Sequence, residues 1–208
     1  PRSLRRQRQM CIRDRLGAVV GVHGDDAGLI MPPSIAPIQA VVMPVASHLD
    51  EAVEPEARQI VQRLKAAGIR ARLDDRDMRP GAKHYDWEIK GVPIRVEIGP
   101  RDLSNGTFVS TMRTGGKESH PLIDLEVYVR KGLDDVSAEL RSRSSALLES
   151  KMRVLDALPD DPKDLDDGIV YEVAFDGNDA DAERLEKSTN LTLLGDDLHP
   201  YDEEVPCI

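Results

Sequence analysis

"IRARLDDRDMRPGAKHYDWEIKGVPIRVEI" (residues 69–98) is the stretch on which the fold turns. Its opening, "IRARL" (69–73), alternates apolar and polar residues, and that two-residue period predicts a strand. "DDRDMRPGAKHYDWEIKG" (74–91) begins as a charged loop that ends in Pro80-Gly81; a short predicted helix follows, and Gly91 stops it. "VPIRVEI" (92–98) predicts the next strand. Strand, helix and strand in immediate succession make a crossover unit, and right-handed crossovers place the strands in one sheet with the helix packed on it.

The pattern extends in both directions. Upstream, "IQAVVMPV" (38–45) is a continuous apolar run of the kind a buried parallel strand carries. Between the two strands, residues 50–67 place Val53, Ala57, Ile60, Val61 and Leu64 at helical spacing, with Asp50 able to cap the start and Gly68 at the end. Downstream, "GPRDLSNG" (99–106) reads as a turn, and "TFVSTMR" (107–113) as a fourth strand closed by Gly115-Gly116. A long helix follows over about 122–156, with Leu133, Val136, Leu140, Leu147 and Leu148. "GIVYEVAF" (168–175), residues 179–188 and "NLTLLG" (190–195) then read as strand, helix and strand. The expected fold is therefore α/β, a mixed sheet flanked by helices, followed by a small α+β C-terminal domain. Before the first strand, "LGAVVGV" (16–22) reads as a buried helix or strand. Pro32, Pro33 and Pro37 make "HGDDAGLIMPPSIAPIQ" an extended connector.

Charge is unevenly spread along the 208 residues, whose net value is -10. Residues 1–15 hold six basic side chains and one acidic; residues 16–131 hold fifteen and sixteen; residues 132–208 hold seven and twenty-one. That balance argues against sequence-blind binding along a nucleic-acid backbone, which requires an excess of lysine and arginine. A localised basic face could still bind RNA. Cys11 and Cys207, nearly a chain length apart, offer no disulfide framework and fit a reducing compartment. No apolar run approaches the length of a membrane span. The N-terminus has arginines without the apolar core of a secretory signal.

Two stretches invite a chemical reading. In "GVHGDDAG" (21–28), His23 stands near Asp25 and Asp26, but adjacent aspartates point apart and the glycine spacing does not match a dinucleotide loop. Turn formation, with an aspartate capping and the glycines supplying positive φ, is the favoured reading. Residues 69–101 hold eight basic and six acidic side chains, the locally basic part of an acidic chain. Arg76, Arg79 and Lys83 could face phosphate, Asp77 and Glu88 could accept from base edges, and Tyr85 or Trp87 could stack on a base, a mixture suited to single-stranded RNA. A solvated loop with local ion pairs is the competing reading, and for Trp87 a place in the core is favoured. His84, His120 and His199 have no partner at informative spacing.

The strings HGDD, PP-x-x-AP-x-Q, DDRD-x-RPG-x-K, W-E-x-KG-x-P and EIGPRDL, in this order over residues 16–113, resemble prolyl-tRNA synthetase of the archaeal/eukaryotic type. Members of that family activate proline with ATP and attach it to its tRNA, using a class II catalytic domain, an α/β anticodon-binding domain and a C-terminal domain that often binds zinc. The resemblance implies that residues 16–37 are the end of the catalytic domain and a connector, 38–133 the anticodon-binding domain, and 134–208 a truncated C-terminal domain. It implies proline tRNA as partner and anticodon contacts from Asp77, Arg79, Lys83, Glu88 and Lys90, with Arg79 and Lys83 steering phosphate or base edges and the carboxylates reading guanine. ATP (with magnesium), proline, a homodimer and a cytoplasmic location are implied for the full-length enzyme, and no membrane.

Departures from the family bound this reading. Arg15 sits near the place of the family's ATP-holding arginine, but the preceding Gly-x-x-Thr pattern is absent, and the other class II motifs are missing. No catalytic residue is expected here, so the chain alone is expected to be inactive as a ligase. In "FDGNDAD" (175–181) Asp176 and Asp181 replace the family's cysteines, "TLLGDDL" (192–198) replaces another cysteine stretch, and Cys207 alone cannot build a tetrahedral site. Zinc is expected to be absent. "RRQRQMCIRDR" (5–15) stands where the family has catalytic-domain sequence. Residues 1–15 are expected to be a non-native segment, an assembly artefact that packs against nothing. The competing functional readings are a free-standing RNA-binding or accessory module with the same fold and no ligase activity, and a small α/β enzyme using His23 with Asp25 or Asp26.

Overall fold

The computed structural model describes residues 15–46, 49–156, 165–173, 182–184 and 186–187. The expected non-native segment 1–15 lies outside them except for Arg15. So do the predicted strand 190–195 and the positions Asp176, Asp181 and Cys207. The chain divides into two compact units, one ending at Ser145 and the other starting at Ala146.

The first unit is built on a five-stranded sheet. After helix α1 (15–23) and the connector come strand β1 (Ala40–Pro44), helix α2 (Val53–Ala66), β2 (Ala71–Leu73), α3 (Pro80–Ile89), β3 (Ile94–Ile98), α4 (Pro100–Asn105), β4 (Thr107–Met112), β5 (Lys117–Pro121) and α5 (Leu125–Lys151). The strand order is β2-β1-β3-β4-β5. β1 pairs in parallel with β2 and β3, while β3–β4 and β4–β5 are antiparallel. The mixed sheet is the expected one, with two additions. "GPRDLSNG" is a short helix rather than a plain turn: Pro100 sits in its first turn, the Asp102 carboxylate accepts from the Gly99 N–H at 3.0 Å, and Gly106 ends it at φ +66°. "KESHP" is a fifth strand that its sequence conceals, because a mostly exposed strand needs no apolar alternation.

Register sorts the side chains onto two faces. Ala40, Val42, Ile94, Val96, Ile98 and Phe108 point to one side and meet Val53, Ala57, Ile60, Val61 and Leu64 of α2 and Leu125, Val129 and Leu133 of α5. The helical spacing expected for α2 is thus its buried stripe. Asp50 caps imperfectly: its Oδ1 accepts from the Ala52 N–H at 2.9 Å, but Ala52 itself occupies the cap position. On the other side Val41 and Met43 meet Trp87 of α3, with Val92 and Ile38.

Two sequence expectations are corrected, the burial of residues 16–22 and the extent of the long helix. "LGAVVGV" is helical but not buried: Leu16 and Val20 are about half exposed, at 53% and 50%. The expected connector is docked along its length. Leu29 N–H donates to Ile89 O and Met31 N–H to Gly91 O. Arg70 donates to the carbonyls of Pro33, Ser34 and Ala36, and Ile30 packs with Val136 and Leu140 of α5. The long helix stops at Lys151 and hands over to a strand, β6 (Met152–Leu155). The expected domain boundary at 133/134 falls inside α5. In the second unit β6 pairs in parallel with β7 (Val170–Val173), and Tyr171 OH accepts from the Asp166 N–H at 2.8 Å.

Candidate nucleic-acid interface

Asp74 organises the charged loop that the sequence singled out. It follows β2 directly, and its N–H continues the ladder by donating to Val42 O at 2.9 Å. Its carboxylate is buried under α3. Trp87 Nε1 donates to Oδ2 at 2.5 Å, and Arg76 donates twice, Nε to Oδ1 and Nη2 to Oδ2, both at 2.8 Å. Burial by itself would raise the Asp74 carboxyl; the hydrogen bonds from Arg76 and Trp87 outweigh it and hold the group well below the usual carboxylate range. Arg76 also reaches Asp86 at 2.6 Å, and Lys90 donates to the same Asp86 oxygen at 2.9 Å. Those two cations hold the Asp86 carboxyl below its ordinary value, Lys90 most. The loop is therefore pinned to the helix from within, and Trp87 takes the core position expected of it.

That pinning decides where the expected contact residues stand. Asp77 and Arg79 are exposed, Arg79 at the N-cap of α3, and neither makes a side-chain hydrogen bond or ion pair among the described residues. Glu88 is half-buried and Lys90 exposed at the far end of the helix. Lys83 departs from the expectation of a phosphate contact: it is buried, and its Nζ donates to the Asp74 carbonyl at 3.1 Å. The spacing of Lys83 and Trp87, four residues apart, puts both on the inward face of α3. Tyr85, 63% exposed, is the aromatic ring that faces outward. Over the Trp87 ring stand Arg72, Arg76 and Lys90, at 5.6, 5.4 and 4.7 Å from its centroid.

Beside α3 the same sheet face carries a second charged group that sequence reasoning missed. Glu97, almost fully buried, accepts from Arg95 Nε at 2.8 Å and from Lys117 Nζ at 3.2 Å. Burial pushes the Glu97 carboxyl up, but Arg95 and Lys117 prevail and lower it. His84 Nε2 lies 3.1 Å from Glu97 without hydrogen-bond alignment; burial pushes this imidazole down and the Arg95 charge adds to that. Arg95 pairs with Thr111 across β3–β4, and Thr111 with Lys117 across β4–β5, so all of these lie on one face. Charges at alternate positions of "IRVEI" were the available signal. Loop 74–79, α3 and this face form a polar surface that exposes Arg79, Lys90 and Lys117 beside Asp75 and Asp77, able to meet a polyanion and to offer carboxylates to hydrogen-bond donors.

Residues 39–132, which contain the whole of this surface, match the family described as "Anticodon binding domain". Curated relatives align over nearly the full chain. A proline–tRNA ligase of Methanocorpusculum labreanum is 37% identical over 197 residues, 93% of this chain and 41% of the relative. That of Thermococcus kodakarensis is 40% identical over 193 residues, 91% and 39%. Over about nine tenths of its length the chain is similar to proline–tRNA ligases. It spans about two fifths of the length of the curated relatives it matches. A third proline–tRNA ligase, from Methanosarcina mazei, is 43% identical over 139 residues. None of these relatives favours a free-standing RNA-binding module. Nor does the geometry assemble the alternative enzyme site: among the described residues no hydrogen bond or ion pair joins His23 to Asp25 or Asp26, and Asp25 is engaged elsewhere. Among the described residues no cluster of three His, Cys, Asp or Glu side chains could hold a metal ion, and no helix is long and apolar enough to cross a membrane.

Proposed function

We propose that this chain is the tRNA-reading portion of a proline–tRNA ligase, and that it recognises the anticodon of proline tRNA through loop 74–79 and α3. The observation that carries the reading is the outward display of Asp77, Arg79, Tyr85 and Lys90 on a loop and helix held rigid by Asp74, all within the segment that matches the anticodon-binding family. Arg79 and Lys90 meet phosphate or base edges; Asp77 and Glu88 accept from the N–H groups of guanine; Tyr85 offers a stacking face. Lys83 serves from inside, holding the loop through the Asp74 carbonyl. In this reading residues 16–37 lead out of a catalytic domain and 134–208 contribute to a C-terminal domain. Activation of proline by ATP with magnesium, transfer to the tRNA, dimerisation and a cytoplasmic location belong to the whole enzyme.

Fluorescence anisotropy with the 208-residue chain tests this. Proline tRNA binds, and binding weakens when the two anticodon guanines are replaced. Arg79→Ala and Lys90→Ala each weaken binding and lower the slope of log affinity against log salt, by about one if the lost contact is a phosphate. Equal affinity for an unrelated tRNA would sink the proposal.

A further inference from the structure

The "HGDD" stretch finds its place in a contact that the anticodon reading leaves unexplained. Arg113, at the end of β4, has a side chain only 6% exposed, yet none of its hydrogen bonds stays within its own hairpin. Nη1 donates to Asp25 Oδ2 at 2.9 Å and Nη2 to Asp25 Oδ1 at 2.5 Å, a two-pronged carboxylate grip. Nη2 also reaches Gly28 O at 3.3 Å, and Nε donates to Glu88 O at 3.2 Å. One guanidinium thus joins the connector to the last turn of α3, at the backbone of a residue proposed to read RNA.

The neighbouring backbone makes the same join. Leu29 N–H donates to Ile89 O and Met31 N–H to Gly91 O, at 3.3 and 3.0 Å. The two segments approach so closely that only glycine fits on either side. A Cβ on Gly28 would stand 2.7 Å from Ile89 Cα, and one on Gly91 would stand 2.4 Å from Leu29 O. Both glycines have positive φ, +128° and +69°. The Asp25 carboxyl, held low chiefly by its hydrogen bond from Arg113 and also by the Ala27 and Gly28 amides, stays ionised in the grip.

We propose that Arg113 is a positioning residue that clamps the connector 25–31 to the C-terminal turn of α3, so that RNA bound at Glu88 and Lys90 and the connector are energetically coupled. This rests on the anticodon reading of α3 and adds to it a route by which occupancy of the helix is felt in the segment that precedes the domain. Coupling is reciprocal: whatever factor the closed clamp adds to RNA affinity, bound RNA adds to closure of the clamp.

Hydrogen exchange on the 208-residue chain, with and without an RNA stem-loop carrying the proline anticodon, reads this directly. In the wild-type chain the stem-loop slows exchange at the Leu29 and Met31 amides. Arg113→Met abolishes that slowing and weakens stem-loop binding about fivefold or more, the lower end of ordinary coupling. Asp25→Asn keeps the Arg113 bonds to Gly28 and Glu88 and removes the charge; it diminishes both effects and serves where Arg113→Met does not fold. Arg113→Lys keeps the charge and a donor for Asp25 and restores part of the linked protection, which a merely structural role does not require. A stem-loop that binds while Leu29 and Met31 exchange unchanged overturns the clamp and leaves the anticodon reading standing. A stem-loop that does not bind at all overturns both.

Discussion

On one side of the sheet Val42, Val96 and Phe108 meet α2 and α5 in an apolar layer. On the other, one residue along in each strand, Val41 and Met43 give way to Arg95, Glu97, Thr111 and Lys117. The strands and their hydrogen bonds are shared, so the contrast lies wholly in what the alternating side chains meet. The apolar side gains from removing surface from water, a non-directional effect tolerant of small shifts. The polar side must satisfy each buried charge by a directed bond, which costs desolvation but fixes where the uncommitted groups of loop 74–79 and α3 point. One side holds the domain together, and the other aims it.

The largest effect expected of breaking this contrast is on the apolar side. Phe108→Ala removes a fully buried ring and costs about 3–5 kcal/mol in chemical denaturation. Among molecules still folded, RNA affinity is unchanged. Asp74→Ala is smaller in stability and larger in function. It leaves the buried Trp87 N–H without its acceptor, costing about 1–3 kcal/mol, and it frees Arg76 from Asp74, so RNA binding falls even where folding is complete. A chain that tolerates Asp74→Ala with RNA affinity intact would show that the polar side aims nothing.

Acid sharpens the comparison further. Asp74 and Glu97 both have folded-state values lowered from the ordinary carboxylate range. Their stabilisation is therefore complete above the unfolded values, about 4, and is lost as pH falls below them. Thermal unfolding followed from neutral to acid pH declines through that window, and Asp74→Asn combined with Glu97→Gln flattens the decline. Phe108→Ala shifts the whole curve down without changing its shape.

Sequence revealed these two sides unequally. The apolar layer was legible because burial leaves a period: the α2 stripe at Val53, Ala57, Ile60 and Leu64 and the run "AVVM" of β1 announce themselves. The charged side was legible as composition but not as geometry. Nothing in "DDRDMRPGAK" says that Asp74 turns inward while Asp77 stays out, since that depends on Trp87 arriving overhead from α3. Lys83 was misplaced for the same reason: four residues before Trp87 it shares the inward face, and a buried lysine looks no different from an exposed one in text. The docked connector escaped because its grip comes from Arg70 and Arg113, far along the chain.

β5 carries a consequence of its own. It is one margin of the sheet, and among the described residues no strand pairs with its outer row. "KESHP" is poor bait for such an addition. Lys117 and Glu118 put charge at the margin, and Pro121 has no N–H to offer. The opposite margin, β2, is only three residues long. The features that hide β5 from an apolar pattern search are also those that disfavour edge-to-edge pairing with a second copy of the chain.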